Sequence, residues 1–277
     1  MTEIRGRLSK MQASVDANGV VQYQWVVNEQ PVLAMNELIG QRIQLQYHGS
    51  IICQHCHSNT KSSFAQGYCY RCFQRLAQCD RCMMSPELCH FHQGTCREPE
   101  WAERVCFNDH IVYLANSSSV KVGITRATQM PVRWLDQGAS QALPIFRVKE
   151  RRLSGLLEAI LRTQVADKTN WRTLLKHDAP EIDLVAVQQR LWDDLAQPLN
   201  ACIEQQSVGA ITALSDCPVQ QFIYPVQQYP VKISSLNLDK TAEVSGRLMG
   251  IKGQYLIFDV GVINVRKFSS YQVTLHF

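Results

Sequence analysis

Nine of the eleven cysteines in this 277-residue chain lie between Cys53 and Cys106, and six of them form three C-x-x-C pairs. The pairs are Cys53/Cys56, Cys69/Cys72 and Cys79/Cys82. Two thiolates three positions apart share one tight knuckle, so both sulfurs can reach a single tetrahedral Zn²⁺ at about 2.3 Å. Cys53-x-x-Cys56 and Cys69-x-x-Cys72 are separated by twelve residues, which predicts one closed four-sulfur zinc site. Disulfide pairing is the competing use of dense cysteine. Residues 1–40 mix charges throughout and hold no apolar stretch of the signal-peptide kind. The expectation is therefore a cytoplasmic chain that keeps its thiols reduced and available to metal.

Cys79-x-x-Cys82 predicts a second site. Its simplest ligand set is Cys79, Cys82, Cys89 and Cys96, the last three evenly spaced. His90 or His92 can replace a cysteine in that set, and Cys106 with His110 is another way to close it. Zinc in either site is structural, because four thiolates leave no open coordination position. Cys202 and Cys217 stand alone and read as ordinary thiols of the fold.

The composition is 45% hydrophobic and 19% charged, ordinary for a globular chain of two or three small domains. No run of eighteen apolar residues is present, so no membrane-spanning helix and no membrane partner are expected. Net charge is +4, but its distribution is uneven. Residues 121–176 carry eleven Lys and Arg against four acids, a net +7 that leaves −3 for the remainder. A basic segment in an otherwise slightly acidic chain suits a phosphate-binding surface; a solvated helix face is the alternative.

The elements that must position these residues follow from the apolar pattern. Val20–Val27 and Arg42–Tyr47 read as strands, with Asn18-Gly19 as a turn. Glu243–Leu248, Gln254–Phe258 and Tyr271–Leu275 read the same way at the other end, among glycines 246, 250, 253 and 261. Gly-Arg-Leu occurs at both 6–8 and 246–248, a short hint of a repeat. In the middle, His110–Ala115 and Val120–Ile124 are short strands, Pro131–Leu135 a short helix and Leu143–Val148 a returning strand. Leu153, Leu156, Leu157, Ile160, Leu161 and Val165 mark an amphipathic helix. Another helix is expected from Ile182 to Gln197, ending before Pro198.

The order strand, strand, helix, strand, helix over residues 110–171 carries Tyr113, Gly123, Arg133, Glu158 and Asn170 in turn. This set resembles the GIY-YIG nuclease superfamily, and the whole chain resembles an uncharacterised bacterial family with a cysteine-rich front half. Ile111-Val112-Tyr113 stands where the first signature tripeptide ends, and Lys121-Val122-Gly123 where the second ends. The resemblance implies a catalytic set of Tyr113, Lys121, Arg133 and Glu158, with Mg²⁺ or Mn²⁺ at Glu158. It also implies a nucleic-acid surface, for which Arg126, Arg151, Arg152 and Asn170 are the candidates. Lys121 replaces the superfamily's second tyrosine, as in a branch that reads Lys-x-Gly, and Ile111 replaces its first glycine.

A planar guanidinium such as Arg133 can pair with two phosphate oxygens. A tyrosine beside a cation can orient or deprotonate water. Tyr113, Trp134 and Trp171 can also stack on unpaired bases. Other uses of these residues are local: a Glu158–Arg162 pair on one helix, or Arg133 lying on Trp134.

The expected architecture is α+β. Residues 1–50 are β-rich, 51–109 form the zinc-binding region, 110–206 the GIY-YIG-like domain with following helices, and 207–277 a second β-rich segment. The two β-rich ends are expected to pack as one barrel-like unit. The expected function is a zinc-containing nucleic-acid-binding protein that acts as a divalent-metal-dependent endonuclease. A non-catalytic binding module or a protein-interaction adaptor is the alternative, and DNA and RNA are equally open as the partner.

Overall fold

A computed structural model describes residues 2–166 and 170–277, so Asp167 and Lys168 of the basic segment lie outside the described residues. The chain opens with β1 (Glu3–Arg7), β2 (Gln12–Val15), β3 (Val21–Val27), β4 (Gln30–Ala34), a 3₁₀ turn at Met35–Leu38 and the long β5 (Arg42–Ile52). Val21, Tyr23 and Trp25 alternate inward on β3 and are fully buried, as a half-buried strand requires. β5 runs straight into the cysteine region, which holds β6 (Asn59–Thr60), α1 (Tyr70–Arg75), α2 (Pro99–Cys106) and several 3₁₀ turns.

The middle of the chain forms β7 (His110–Asn116), β8 (Val120–Arg126), α3 (Val132–Asp136), β9 (Gln141–Val148) and α4 (Arg151–Leu161). Then come α5 (Trp171–Leu174), α6 (Leu184–Asp194), α7 (Ala196–Glu204), β10 (Ile211–Ala213) and β11 (Gln220–Gln221). The single helix expected over 182–197 is thus two, broken at Leu195. Pro198 sits in the first turn of α7, where a backbone N–H has no intrahelical partner, so it starts a helix instead of ending one. The chain closes with β12 (Glu243–Lys252), β13 (Tyr255–Phe258), β14 (Gly261–Asn264), a 3₁₀ turn at Val265–Phe268 and β15 (Tyr271–His276).

The two ends of the chain share one core, as expected, through the sheet β1-β15-β5-β12-β13-β14 and the sheet β2-β3-β4. They do not close into a barrel: β14 and β4 each end a sheet. The Gly-Arg-Leu match marks a real structural repeat. Each half runs bent strand, strand, strand, 3₁₀ turn, strand. β1 pairs with the last strand of the other half, β15, and β12 pairs with β5 in the same way. Leu8 N–H donates to the Tyr271 carbonyl and Ser270 N–H to Leu8; Leu248 N–H donates to Gln41 and Gly40 N–H to Leu248.

Gly40 and Ser270 hold φ of +90° and +80°, the same left-handed turn in both halves. Asn28 Oδ1 accepts from Arg7 N at 2.9 Å, and Asp259 Oδ1 from Arg247 N at 2.9 Å. Leu45 pairs with Leu275, its own counterpart, so the pseudo-twofold passes through the β5–β15 ladder.

The middle strands form a sheet of order β10-β9-β7-β8, with β11 on β9. β7 is buried at all seven residues because both its faces are covered. Ile111, Tyr113 and Ala115 join the core of the β-rich unit, together with Trp134 and Leu135 of α3. Val112 and Leu114 face Leu153, Leu157 and Leu161 of α4. Buried Gln254 ties the two parts: its amide donates to the Met11 carbonyl and to Asp136 Oδ1, both at 2.9 Å. Lys10 pairs with the same Asp136 at 2.6 Å. Among the described residues no helix is long and apolar enough to cross a membrane.

The repeat makes a paired prediction. Asn28→Ala and Asp259→Ala remove equivalent bonds and should each cost about 0.5–1.5 kcal/mol in urea unfolding. The double variant should be additive, because the two sites share no partner.

Candidate functional site

The first four-cysteine group is assembled as its spacing predicts. Cys53 lies just past the end of β5, Cys69 precedes α1 and Cys72 sits within it, so a strand end and a helix N-terminus bring the knuckles together. The sulfurs of Cys53, Cys56, Cys69 and Cys72 all lie within 4.8 Å of one another. Cys56 Sγ and Cys69 Sγ are 3.7 Å apart. A zinc–sulfur bond of about 2.3 Å gives a tetrahedral edge of about 3.8 Å, whereas a disulfide needs about 2.05 Å. The four thiols therefore fit a closed zinc centre.

Their proton affinities diverge in the absence of an ion. Burial raises that of Cys53, but N–H groups of Cys56, Cys69 and His55 aimed at its sulfur lower it overall. Ser58 holds exposed Cys56 at about 6, while burial and the neighbouring thiols push Cys72 up. A divalent cation removes this conflict by stabilising all four as thiolates.

Of the second expected set, the structure places Cys82 in a group with two other donors. Cys79 packs with Cys53, Cys72 and Leu76, behind the first site, and burial pushes its thiol to about 11. The donor atoms that gather within 4.8 Å are those of Asp80, Cys82 and His90. His90 Nδ1 meets Thr95 Oγ1 at 2.8 Å, which leaves Nε2 toward Asp80 Oδ1 at 3.5 Å. Asp80 was not foreseen; it also caps the turn at Arg81–Met83 and pairs with Arg97 at 2.6 Å. Cys89 and Cys106 remain within electrostatic reach of Cys82, and Cys96 within reach of Cys106. The group can hold a metal.

Neither other histidine alternative joins it. His92 faces Glu150 at 3.4 Å and stacks edge-on with Phe107. His110 is buried with Nδ1 on the Asn108 carbonyl at 2.7 Å, and burial lowers its pKa to about 4.

This cysteine stretch seats on α4. Gly155 has no room for a Cβ, because Pro86 and the Glu87 backbone lie against it. Arg151 donates to the Met83 carbonyl, and Arg162 pairs with Glu87 at 3.6 Å. Arg151, expected on a nucleic-acid surface, is therefore turned toward the cysteine region. Arg126 and Arg152 are half-buried, and exposed Asn170 caps α5 by accepting from Arg172 N and Thr173 N. Trp134 is a core residue, 2% exposed, and so offers no stacking surface. Trp171 is already stacked on Tyr255, with the rings 7° apart.

The set of Tyr113, Lys121, Arg133 and Glu158 comes from β7, β8, α3 and α4 respectively. Tyr113 stands directly opposite Gly123 in the β7–β8 ladder, and Lys121 opposite Ala115, so these strand residues share one face of the sheet. A Cβ on Gly123 would lie 2.7 Å from the Tyr113 hydroxyl, so the glycine makes room for the ring. That hydroxyl donates to Gln137 Oε1 at 3.0 Å. Burial raises the Tyr113 pKa, the Arg133 guanidinium against the hydroxyl lowers it, and Glu158 raises it. Tyr113 and Lys121 are both buried.

Gln137 and Arg266 were not foreseen. Arg266, from the 3₁₀ turn before β15, is within electrostatic reach of Arg133 and bonds Gln66 at 2.6 Å. No sequence spacing links a residue at the far end of the chain to this place; only the pairing of the chain ends brings it there.

Metal analysis of the purified chain should find at least one zinc per molecule. Cys53→Ser or Cys72→Ser should lower the count by one and destabilise the chain, since a structural zinc contributes directly to folding.

The chain matches, over residues 40–273, a family model described as "Protein of unknown function (DUF2797)". No curated protein and no solved structure matches it. The matched region takes in both cysteine groups, the middle sheet and, of the β-rich unit, β5, β12–β14 and the start of β15 but not β1–β4. The chain belongs to the DUF2797 family.

Proposed function

We propose that this is a zinc-stabilised nucleic-acid-binding protein whose middle domain acts as a divalent-metal-dependent endonuclease of the GIY-YIG type. The observation that carries the reading is that Gly123 and Arg133 lie against the Tyr113 hydroxyl, with Glu158 within electrostatic reach of it. Two strands and two helices supply them in the order the resemblance requires.

Each residue has a task its chemistry suits. Arg133 presents a planar fork to two oxygens of a phosphodiester. Tyr113 keeps its proton, because burial outweighs the guanidinium, so it orients a water and is not the base. Gln137 fixes the direction of that hydroxyl. Lys121 lies on the same face, two residues from Gly123, and adds positive charge toward the phosphate. Glu158 supplies one carboxylate, and Mg²⁺ typically takes one or two from protein and completes its shell with water and phosphate oxygens. When bound, such an ion stabilises charge on the phosphoryl oxygens.

The burial of Tyr113 and Lys121 favours a second reading, a non-catalytic binding module with the same residues. Incubation with branched DNA, single-stranded DNA and RNA in Mg²⁺ separates the two. Cleavage is expected, and Glu158→Gln and Arg133→Ala should each lower its rate by about 10²–10³. Cleavage that survives both substitutions contradicts the endonuclease reading. Salt-dependent binding without cleavage supports the second.

A further inference from the structure

A cavity whose lining includes neither Tyr113 nor Glu158 lies in the cysteine region. It is an open groove of about 930 Å³ beside the first zinc site, bordered by His55, Asn59, Tyr70, Arg71, Arg75 and Arg97. Arg71 and Arg75 are exposed on successive turns of α1, and among the described residues neither has an ion-pair partner. Four residues of helix place them on the order of 6 Å apart along the axis. Arg97 is already engaged with Asp80 and with the carbonyls of Phe73 and Leu76, so it braces the wall. The acid in the lining is Glu98, and its carboxylate accepts from the Ala77 N–H at 2.7 Å.

Tyr70 is 53% exposed and yet held in place. Phe64 lies behind its ring at 5.4 Å, and Gln74 donates to its hydroxyl at 2.8 Å. A fixed aromatic face next to two unpaired guanidinia suits an unpaired base and its neighbouring phosphates. The volume is at the upper end of the ~300–1,000 Å³ range of small-molecule pockets. The groove is open at its side, which admits a strand.

We propose that this groove binds a single-stranded nucleic-acid segment, with Arg71 and Arg75 on successive phosphates and Tyr70 stacked on a base. The proposal rests on the nucleic-acid reading above and names the form of nucleic acid this part of the chain takes. It places binding on the zinc region, with cleavage assigned to the middle domain.

The test is fluorescence anisotropy of zinc-loaded full-length protein with labelled single-stranded DNA and RNA, without Mg²⁺, across a salt series. Arg71→Gln/Arg75→Gln should weaken binding at least about tenfold and flatten the slope of log K against log salt by about 1.4, the value for two phosphate contacts to a single strand. Tyr70→Ala should weaken it about fivefold or more at unchanged slope, since stacking is worth about 1–3 kcal/mol per base. In a separate assay with Mg²⁺, Glu158→Gln should lose cleavage, while the dependence of its binding on Arg71 and Arg75 is kept. Loss of cleavage with binding retained there, or binding without any cleavage, separates the groove from the endonuclease reading.

Unchanged affinity and slope in the double arginine variant would overturn the proposal. So would equal affinity for duplex DNA or for a glutamate-rich peptide. Loss of zinc from the arginine variant would overturn it as well, by assigning the guanidinia to the thiolate centre.

Discussion

The middle of this protein depends on one constraint: β7 must be covered on both faces. All seven of its residues are buried, which no single sheet-and-helix layer could achieve. α4 covers Val112 and Leu114; the paired ends of the chain cover Ile111, Tyr113 and Ala115. The β-rich unit is therefore half of the housing of the candidate site. Gln254 and Asp136 fix that contact with hydrogen bonds, in a buried setting where an unpaired amide would be costly. The same constraint explains why Tyr113 lies inside a core and not in an open cleft.

The unit that supplies this cover is itself built twice. β5 and β15 meet at Leu45 and Leu275, and each half lends its first strand to the other half's last. Neither half has a complete sheet alone, so the chain must bring residues some 230 positions apart together before β7 has its second face. The cysteine region leaves from the end of β5 and is held back onto the unit at Gly67, whose carbonyl accepts from Gln54 N–H and Ser270 Oγ. Zinc at Cys53, Cys56, Cys69 and Cys72 would lock a segment whose regular structure is otherwise two short helices, one two-residue strand and 3₁₀ turns.

Much of this was legible in residue pattern, because local rules act over short spans. The alternation in Val21–Val27, the apolar face of α4 and the C-x-x-C knuckles each rest on neighbours within a few residues. The Gly-Arg-Leu match was legible only as a tripeptide; the repeat lives in backbone geometry, where Gly40 and Ser270 adopt one conformation with different side chains. Asp80 in the second metal group was not legible for a similar reason. Spacing ranks cysteines and histidines alone, whereas the turn at Arg81–Met83, capped by Asp80, also sets that carboxylate beside Cys82 and His90. Pro198 was read as a stop because a proline's effect depends on which turn of a helix it occupies. Arg266 and Gln137 could not be found from spacing, since tertiary pairing alone brings them to Arg133 and Tyr113.

The claim on which the functional reading turns is that Glu158 anchors a divalent ion beside Tyr113 and Arg133. The most direct measurement is a Mn²⁺ titration of zinc-loaded protein followed by electron paramagnetic resonance. A single Mn²⁺ site displaced by Mg²⁺, lost in Glu158→Gln and retained in Arg71→Gln/Arg75→Gln, is the expected result. No bound Mn²⁺ in the unsubstituted chain, or a site indifferent to Glu158→Gln, would contradict it.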